Sequence, residues 1–281
     1  MAIKITSDST CDLSAALVEE YNIGIVPLIV MKDGDPFKDG IEITPADIFA
    51  YTASTGKLCS TSAVSEFEYA EYFRPLAESN DAVIHINISA EFSSCYQNAC
   101  KAAMQFKNVY VVDSRNLSTG QGHVAIEAAQ LAAQGLSAEE ICAKLNDLTP
   151  RVEASFLLDR LDYMVKGGRC SSVAALGANL LRLKPCIEVI DGKMRVVKKY
   201  RGAYDRCIQQ YVTERIQNRT DLRRDRMFIT HAAAEPDTLS VARQAVAENG
   251  RFEHVYETNA GCTVTCHCGP HTLGVLFIRT K

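Results

Sequence analysis

Residues 263–271 read Thr-Val-Thr-Cys-His-Cys-Gly-Pro-His. Two thiols flank an imidazole, Cys266-His267-Cys268, and a second imidazole follows at His271. Such a group could hold zinc, supply a nucleophilic thiolate, or let a histidine bind an anion. Taken as a strand, Thr263–Cys268 alternates its side chains between two faces. Cys266 and Cys268 then share one face and His267 takes the other, so the three could not ligate one zinc. A catalytic cysteine would need a base and an electropositive pocket. The preferred expectation is two core cysteines, with His267 facing a cleft where it can donate to a carboxylate or phosphate. On this reading there is no metal site and no catalytic residue.

Hydroxyl-rich segments recur upstream: Asp8-Ser9-Thr10, Thr61-Ser62, Ser93-Ser94 and Ser118-Thr119-Gly120-Gln121-Gly122. Each adjoins a strand end or a helix start. Helix N-termini carry unpaired N–H groups and a partial positive charge, and hydroxyls add donors without bulk. Each segment could be a simple cap or turn; together they could form an anion site. Lys166-Gly167-Gly168-Arg169 reads either as turn punctuation or as a cation, Arg169, at a cleft mouth. The chain has no Gly-x-Ser-x-Gly nucleophile elbow and no Walker sequence, and Gly120-Gln121-Gly122 is too short for a dinucleotide fingerprint.

The elements that must position these residues alternate. Ile3–Asp8, Gly24–Met31, Ala82–Ile88 and Val109–Asp113 are short, largely apolar runs suited to parallel strands covered on both faces. Thr44-Pro45-Ala46-Asp47 caps a helix, and Ser65–Glu68, Ser94–Gln97 and Ser137–Glu140 have the spacing of capping boxes. After Ser94, residues Tyr96, Ala99, Cys100 and Ala103 repeat at the helical period and should form a buried face. Beyond Thr149-Pro150 the pattern changes. Leu176–Leu183 reads as an apolar helix ended by Pro185, Asp191-Gly192 as a hairpin turn, and Leu273–Ile278 as a closing strand. The expected fold is α/β, with two α/β domains: residues 1–150, with a largely parallel sheet, and residues 151–281, with hairpins. A ligand would lie in the cleft between them.

The chain has 281 residues, 47% of them hydrophobic, enough for one large core or two contiguous ones. A net charge of −4 argues against nucleic acid as a partner. The basic clusters Arg195–Arg201 and Arg219–Arg226 read as solvated charge on a hairpin and a loop, or as a docking surface for an acidic partner. No run is long and apolar enough to span a membrane, and the start lacks a signal-peptide layout, so a cytoplasmic protein is expected. The 11 cysteines are an odd number, and many lie in apolar patterns, as expected of reduced thiols used as small hydrophobes.

In this order, Asp8-Ser9-Thr10-Cys11-Asp12-Leu13, Cys59-Ser60-Thr61-Ser62-Ala63-Val64-Ser65, Phe92–Gln97, Val111–Ser114 with Ser118–Gly122, Leu161–Arg169 and His267-Cys268-Gly269-Pro270 resemble the DegV family. That family includes the fatty-acid-binding B subunits of bacterial fatty acid kinase. The resemblance covers nearly the whole chain. It implies a non-catalytic carrier with no cofactor, which holds one long-chain fatty acid between two α/β domains; a monomer is expected. The implied carboxylate ligands are Thr61, Ser93 and His267, with Ser9, Ser62, Ser94 and Ser118 on nearby loops. It also implies presentation of the carboxylate to an ATP-binding kinase subunit, giving an acyl phosphate for phospholipid synthesis, with Arg169 and Arg201 in partner docking. The chain departs from the family at Ala63-Val64, where Gln-Pro is common, in Phe92–Gln97, where Leu-Ser-Gly-Thr-Tyr-Gln is common, and at His271, where glycine is usual. Residues Ala174, Ala175, Leu176, Ala178, Leu180 and Leu181 could line an acyl tunnel or simply pack. The alternative reading is a hydrolase or phosphotransferase that uses Ser93, His267 or a cysteine on a small phosphorylated or carbonyl substrate; a protein binding metal through Cys266–Cys268 is a third.

Overall fold

The computed structural model describes residues 2–174 and 183–281. The strands are β1 (Ile3–Asp8), β2 (Gly24–Val26), β3 (Ile29–Lys32), β4 (Asp35–Lys38), β5 (Ser60–Ser62), β6 (Ala82–Asn87), β7 (Val109–Asp113), β8 (Val152–Leu157), β9 (Leu183–Ile190), β10 (Lys193–Arg201), β11 (Leu222–Ala232), β12 (His254–Asn259) and β13 (Thr272–Arg279). The helices are α1 (Ala15–Glu20), α2 (Pro45–Thr55), α3 (Glu66–Ser79), α4 (Cys95–Ala103), α5 (Ser118–Ala133), α6 (Ala138–Leu148), α7 (Asp162–Gly167), α8 (Ser171–Ala174), α9 (Tyr204–Ile216), α10 (Pro236–Asn249) and α11 (Cys262–Cys268). The fold is mixed α/β.

Strands β2-β1-β6-β7 form an all-parallel sheet. Its inner strand β6 is buried along its whole length, as its unbroken apolar run requires. The expected single strand over Gly24–Met31 is two. Pro27 separates β2, which joins the parallel sheet, from β3, which pairs antiparallel with β4 and β5 in a three-stranded sheet. The later strands form a six-stranded sheet in the order β10-β9-β8-β13-β11-β12. Helix α5 lies between the parallel and the six-stranded sheet. Its Val124, Ala125 and Ile126 share one core with Ile84 and Ile86 on one side and with Ala154, Phe228 and Leu276 on the other. A helix buried all round needs apolar residues on every face, and most of α5 is apolar or small.

Local signals hold where the partners are close in sequence. Thr44/Asp47, Ser65/Glu68 and Ser137/Glu140 are reciprocal capping boxes. The Ser94 box does not form. Ser94 sits at ψ 2°, outside the extended geometry a cap needs, and Ser93 Oγ instead accepts from Cys95 N at 3.2 Å. The buried face of α4 is Cys95, Ala99, Ala102 and Ala103, with Tyr96 and Cys100 half-buried. Pro185 lies inside β9, not at a helix end. It sits just beyond the stretch where β9 pairs with β8, so its missing N–H breaks no ladder on that side. Residues Ala175, Leu176, Ala178, Leu180 and Leu181, and the side chain of Ala174, lie outside the described residues. The Arg219–Arg226 cluster is not solvated charge: Arg219 pairs with Glu153 and Asp221, Arg223 with Glu127 and Asp225, and the buried Arg226 with Glu127. All 11 cysteines are free, and nine of them are buried.

The largest correction is α11: residues 262–268 form a helix, not a strand. Its N-cap, Gly261, has no side chain to cap with. Two carboxylates from the other end of the chain cap it instead. Asp39 accepts from Cys262 N at 2.9 Å and from Thr263 N at 3.0 Å, and Asp12 accepts from Gly261 N at 2.8 Å. Carboxyl oxygens at a helix N-terminus accept from its unpaired donors. Asp39→Ala would leave two buried N–H groups without acceptors, and should lower unfolding free energy by about 2–4 kcal/mol in urea titrations. A loss below about 0.5 kcal/mol would show that α11 does not depend on this cap.

Candidate functional site

A helix turns by about 100° per residue, so three consecutive side chains on α11 point three ways. Cys266 packs with Cys59 and Cys262, and Cys268 packs in the main core near Cys170. His267 turns to a third side, into a cavity of about 140 Å³. The separation of sulfur from imidazole expected for a strand therefore holds on a helix, with the two cysteines in different clusters. Among the described residues no three His, Cys, Asp or Glu side chains are grouped as a metal ion would require.

The cavity has a mixed lining. Thr61, Ser62, Ser93, Ser94, Arg169 and His267 line it, together with the apolar Leu28, Ile88, Phe92, Leu117, Met194 and Val264. Thr61 lies on β5 rather than in a loop, held by pairing with Val30 of β3. Its Oγ1 is 2.8 Å from His267 Nε2. Ser93 stands at the start of α4, where its hydroxyl also donates to Cys95 Sγ at 3.1 Å. Asn98 Nδ2 donates to Val64 O at 2.8 Å and ties α4 to the segment after Thr61. Gly167 is the last residue of α7 and Arg169 follows it, with Arg169 Nη1 donating to Gly167 O at 2.7 Å. Met194 arrives on β10, whose hairpin turn is fixed by Ser89 Oγ donating to Gly192 O at 2.9 Å.

Other expected site residues lie elsewhere. Ser9 donates to Asp39 and accepts from Leu28 N, one layer behind the cavity. Ser118 donates to Asp12 at 2.5 Å and lines a second, smaller cavity. Arg201 is exposed at the end of β10. The second cavity is walled by Ala154, Phe156, Ala232, Leu276 and other residues, and it shares Leu117, Val264 and Cys268 with the first. His271 is at φ 60°, a left-handed conformation that favours glycine. Its N–H donates to Ala232 O, and its carbonyl accepts from Tyr204 Oη. Sequence reasoning missed Asp12 and Asp39 as supports of α11, and Leu28, Phe92 and Met194 as walls. Asp12 lies within the Asp8–Leu13 motif, but nothing local marks its partner.

Burial holds the site neutral. It lowers the His267 imidazole to about 4, with Arg169 pushing the same way. Burial raises the Cys268 thiol to about 12 and the Cys95 thiol to about 11. Thiols held protonated are poor nucleophiles. Burial also raises Asp12 to about 8 and pushes Asp8 upward, although the backbone N–H groups of Thr10 and Ile88 donate to Asp8.

These features define an α/β protein with a pocket lined by apolar side chains together with hydroxyls and an imidazole. The chain belongs to the DegV family: the model described as "Uncharacterised protein, DegV family" matches residues 2–280. A DegV domain-containing protein of Caldanaerobacter subterraneus is 31% identical over 277 residues, 98% of each chain. Among solved structures, a DegV family protein from Thermus thermophilus, described by its fatty acid binding, superposes with TM-score 0.90 at 27% identity, covering 99% of this chain and 100% of that one. A stearic acid-binding protein from Eubacterium ventriosum superposes with TM-score 0.84 at 25% identity, covering 99% and 98%.

Folded His267 takes its proton only near pH 4, while an unfolded histidine does so near pH 6.5. Between these values the unfolded chain binds more protons, so acidification favours unfolding. Relative to His267→Gln, the wild-type protein should lose stability as pH falls from 6.5 to 4, by about 3 kcal/mol at most. Denaturation curves of both proteins at pH 7, 5.5 and 4 test this; a constant difference would place the imidazole in contact with water.

Proposed function

We propose that the chain binds one long-chain fatty acid, its carboxylate at Thr61, Ser93 and His267, and its tail passing Leu117, Val264 and Cys268 into the second cavity. The ligand then lies between a unit of residues 1–150 and one of residues 151–281, which both contribute walls. The observation that carries this reading is the Thr61–His267 hydrogen bond in a cavity whose lining combines hydroxyls with apolar walls. The solved relatives described as binding fatty acids support it. An acyl chain gains about 0.8 kcal/mol per buried methylene, so affinity needs no covalent step. Neutral hydroxyl and imidazole donors orient a carboxylate without quenching it, whereas a bidentate arginine pair would blunt its attack.

The bound carboxylate is presented to an ATP-binding kinase subunit. One carboxylate oxygen attacks the γ-phosphorus, ADP leaves, and the acyl phosphate feeds phospholipid synthesis. Arg169, at the cavity rim, and Arg201 contact that partner. The chain acts as a cytoplasmic monomer, and no described helix is long and apolar enough to cross a membrane. The hydrolase reading is disfavoured: an imidazole lowered to about 4 is a weak base at neutral pH, and the Cys268 and Cys95 thiols stay protonated.

Native mass spectrometry of the purified protein should show one bound fatty acid. Protein that carries none and takes up none when offered oleate would overturn the reading. His267→Ala and Thr61→Val should each weaken oleate binding by roughly 10- to 100-fold, the range for a lost hydrogen bond to a charged group. Unchanged affinity in both would move the head group elsewhere. With the kinase subunit and ATP, Arg169→Ala should make acyl phosphate more slowly while binding oleate normally; an equal rate would remove Arg169 from the docking surface.

A further inference from the structure

Helices α7 and α11 pack closely, and the packing bears on one atom. A methyl carbon built on Gly167 would lie 2.4 Å from His267 Nδ1, and one built on Gly269 would lie 2.6 Å from Tyr163 Cδ2. Both glycines are therefore required for the approach. Gly167 is held by the α7 end, where Gly168 N donates to Met164 O at 3.2 Å. His267 Nδ1 is buried and has no hydrogen-bond partner among the described residues, while Nε2 meets Thr61 Oγ1 at 2.8 Å.

A neutral imidazole carries its proton on one nitrogen only. Placed on Nδ1, the proton would be a buried N–H facing Gly167, with no acceptor among the described residues. The Cα–H groups of Gly167 can meet a lone pair but cannot accept from a donor. We propose that Gly167 is a positioning residue that fixes His267 as the Nε2–H tautomer, so that His267 donates to Thr61 Oγ1 and the Thr61 hydroxyl proton is turned into the cavity. Within the carboxylate set of Thr61, Ser93 and His267, the Thr61 hydroxyl is then a direct donor, and His267 contributes through it, orienting and polarising that hydroxyl. This inference rests on the fatty-acid reading for its ligand, but not for its tautomer.

Two measurements test it. In nitrogen-resolved NMR of the lipid-free protein at pH 7, Nδ1 of His267 should resonate as a bare nitrogen and Nε2 as a protonated one; the reverse, or an equal mixture, overturns the proposal. Because this readout needs no lipid, it stands even if the protein binds no fatty acid. For oleate, Gly167→Ala should weaken binding by about tenfold or more, while Val165→Ala, an exposed change on the same helix, should not. In a His267→Ala background, Gly167→Ala should add nothing, because its effect passes through the ring. Wild-type affinity in Gly167→Ala, or an equal loss in both backgrounds, refutes the proposal. Should Gly167→Ala fail to fold by circular dichroism, the wild-type spectrum still decides.

Discussion

Helix α11 depends on two carboxylates that are not its own. A seven-residue helix with a glycine N-cap has little reason to form alone, because nucleation is costly and its first N–H groups are orphaned. Asp39 and Asp12 supply the missing acceptors, and Ser9 and Thr263 complete the cluster by donating to Asp39. Everything chemical about residues 263–268 follows from this. The helix sends Cys266 towards Cys59, Cys268 into the core and His267 into the cavity. With the acids gone, those directions would lose their basis.

The second constraint is the layer shared through α5. One helix faces the parallel sheet and the six-stranded sheet at once, so the two sheets do not have independent cores. Their loops are accordingly held in register around the cavity. A polar contact reinforces this, Ser89 Oγ donating to Gly192 O in the β9–β10 turn. A rigid frame of this kind suits a site whose work is orientation, since hydroxyl donors must hold their directions to be useful.

What could be read from the sequence was what local chemistry encodes. The three capping boxes, the Asp191-Gly192 hairpin and the buried β6 depend on residues a few positions apart. The split at Pro27, the strand role of Pro185 and the switch of cap from Ser94 to Ser93 turn on neighbours and backbone angles that pattern does not carry. Helix α11 was illegible for the strongest reason: its β-branched Thr-Val-Thr suits a strand, and its caps lie over 200 residues away. The meeting of Thr61 with His267 is likewise a matter of tertiary structure. The family resemblance, not spacing, joined them in advance.

The Thr61–His267 bond closes a span of 206 residues, and the Asp39–Thr263 bond one of 224. Contacts of such separation form late, because the entropy of closing the chain must be met before they return anything. During synthesis from the N-terminus, the parallel sheet and its helices can fold while α11 does not yet exist. The pocket therefore has no early form: an unfinished chain, however well its first sheet is packed, has hydroxyls but no imidazole behind them, and the cavity is whole only once α11 and the strand after it are in place.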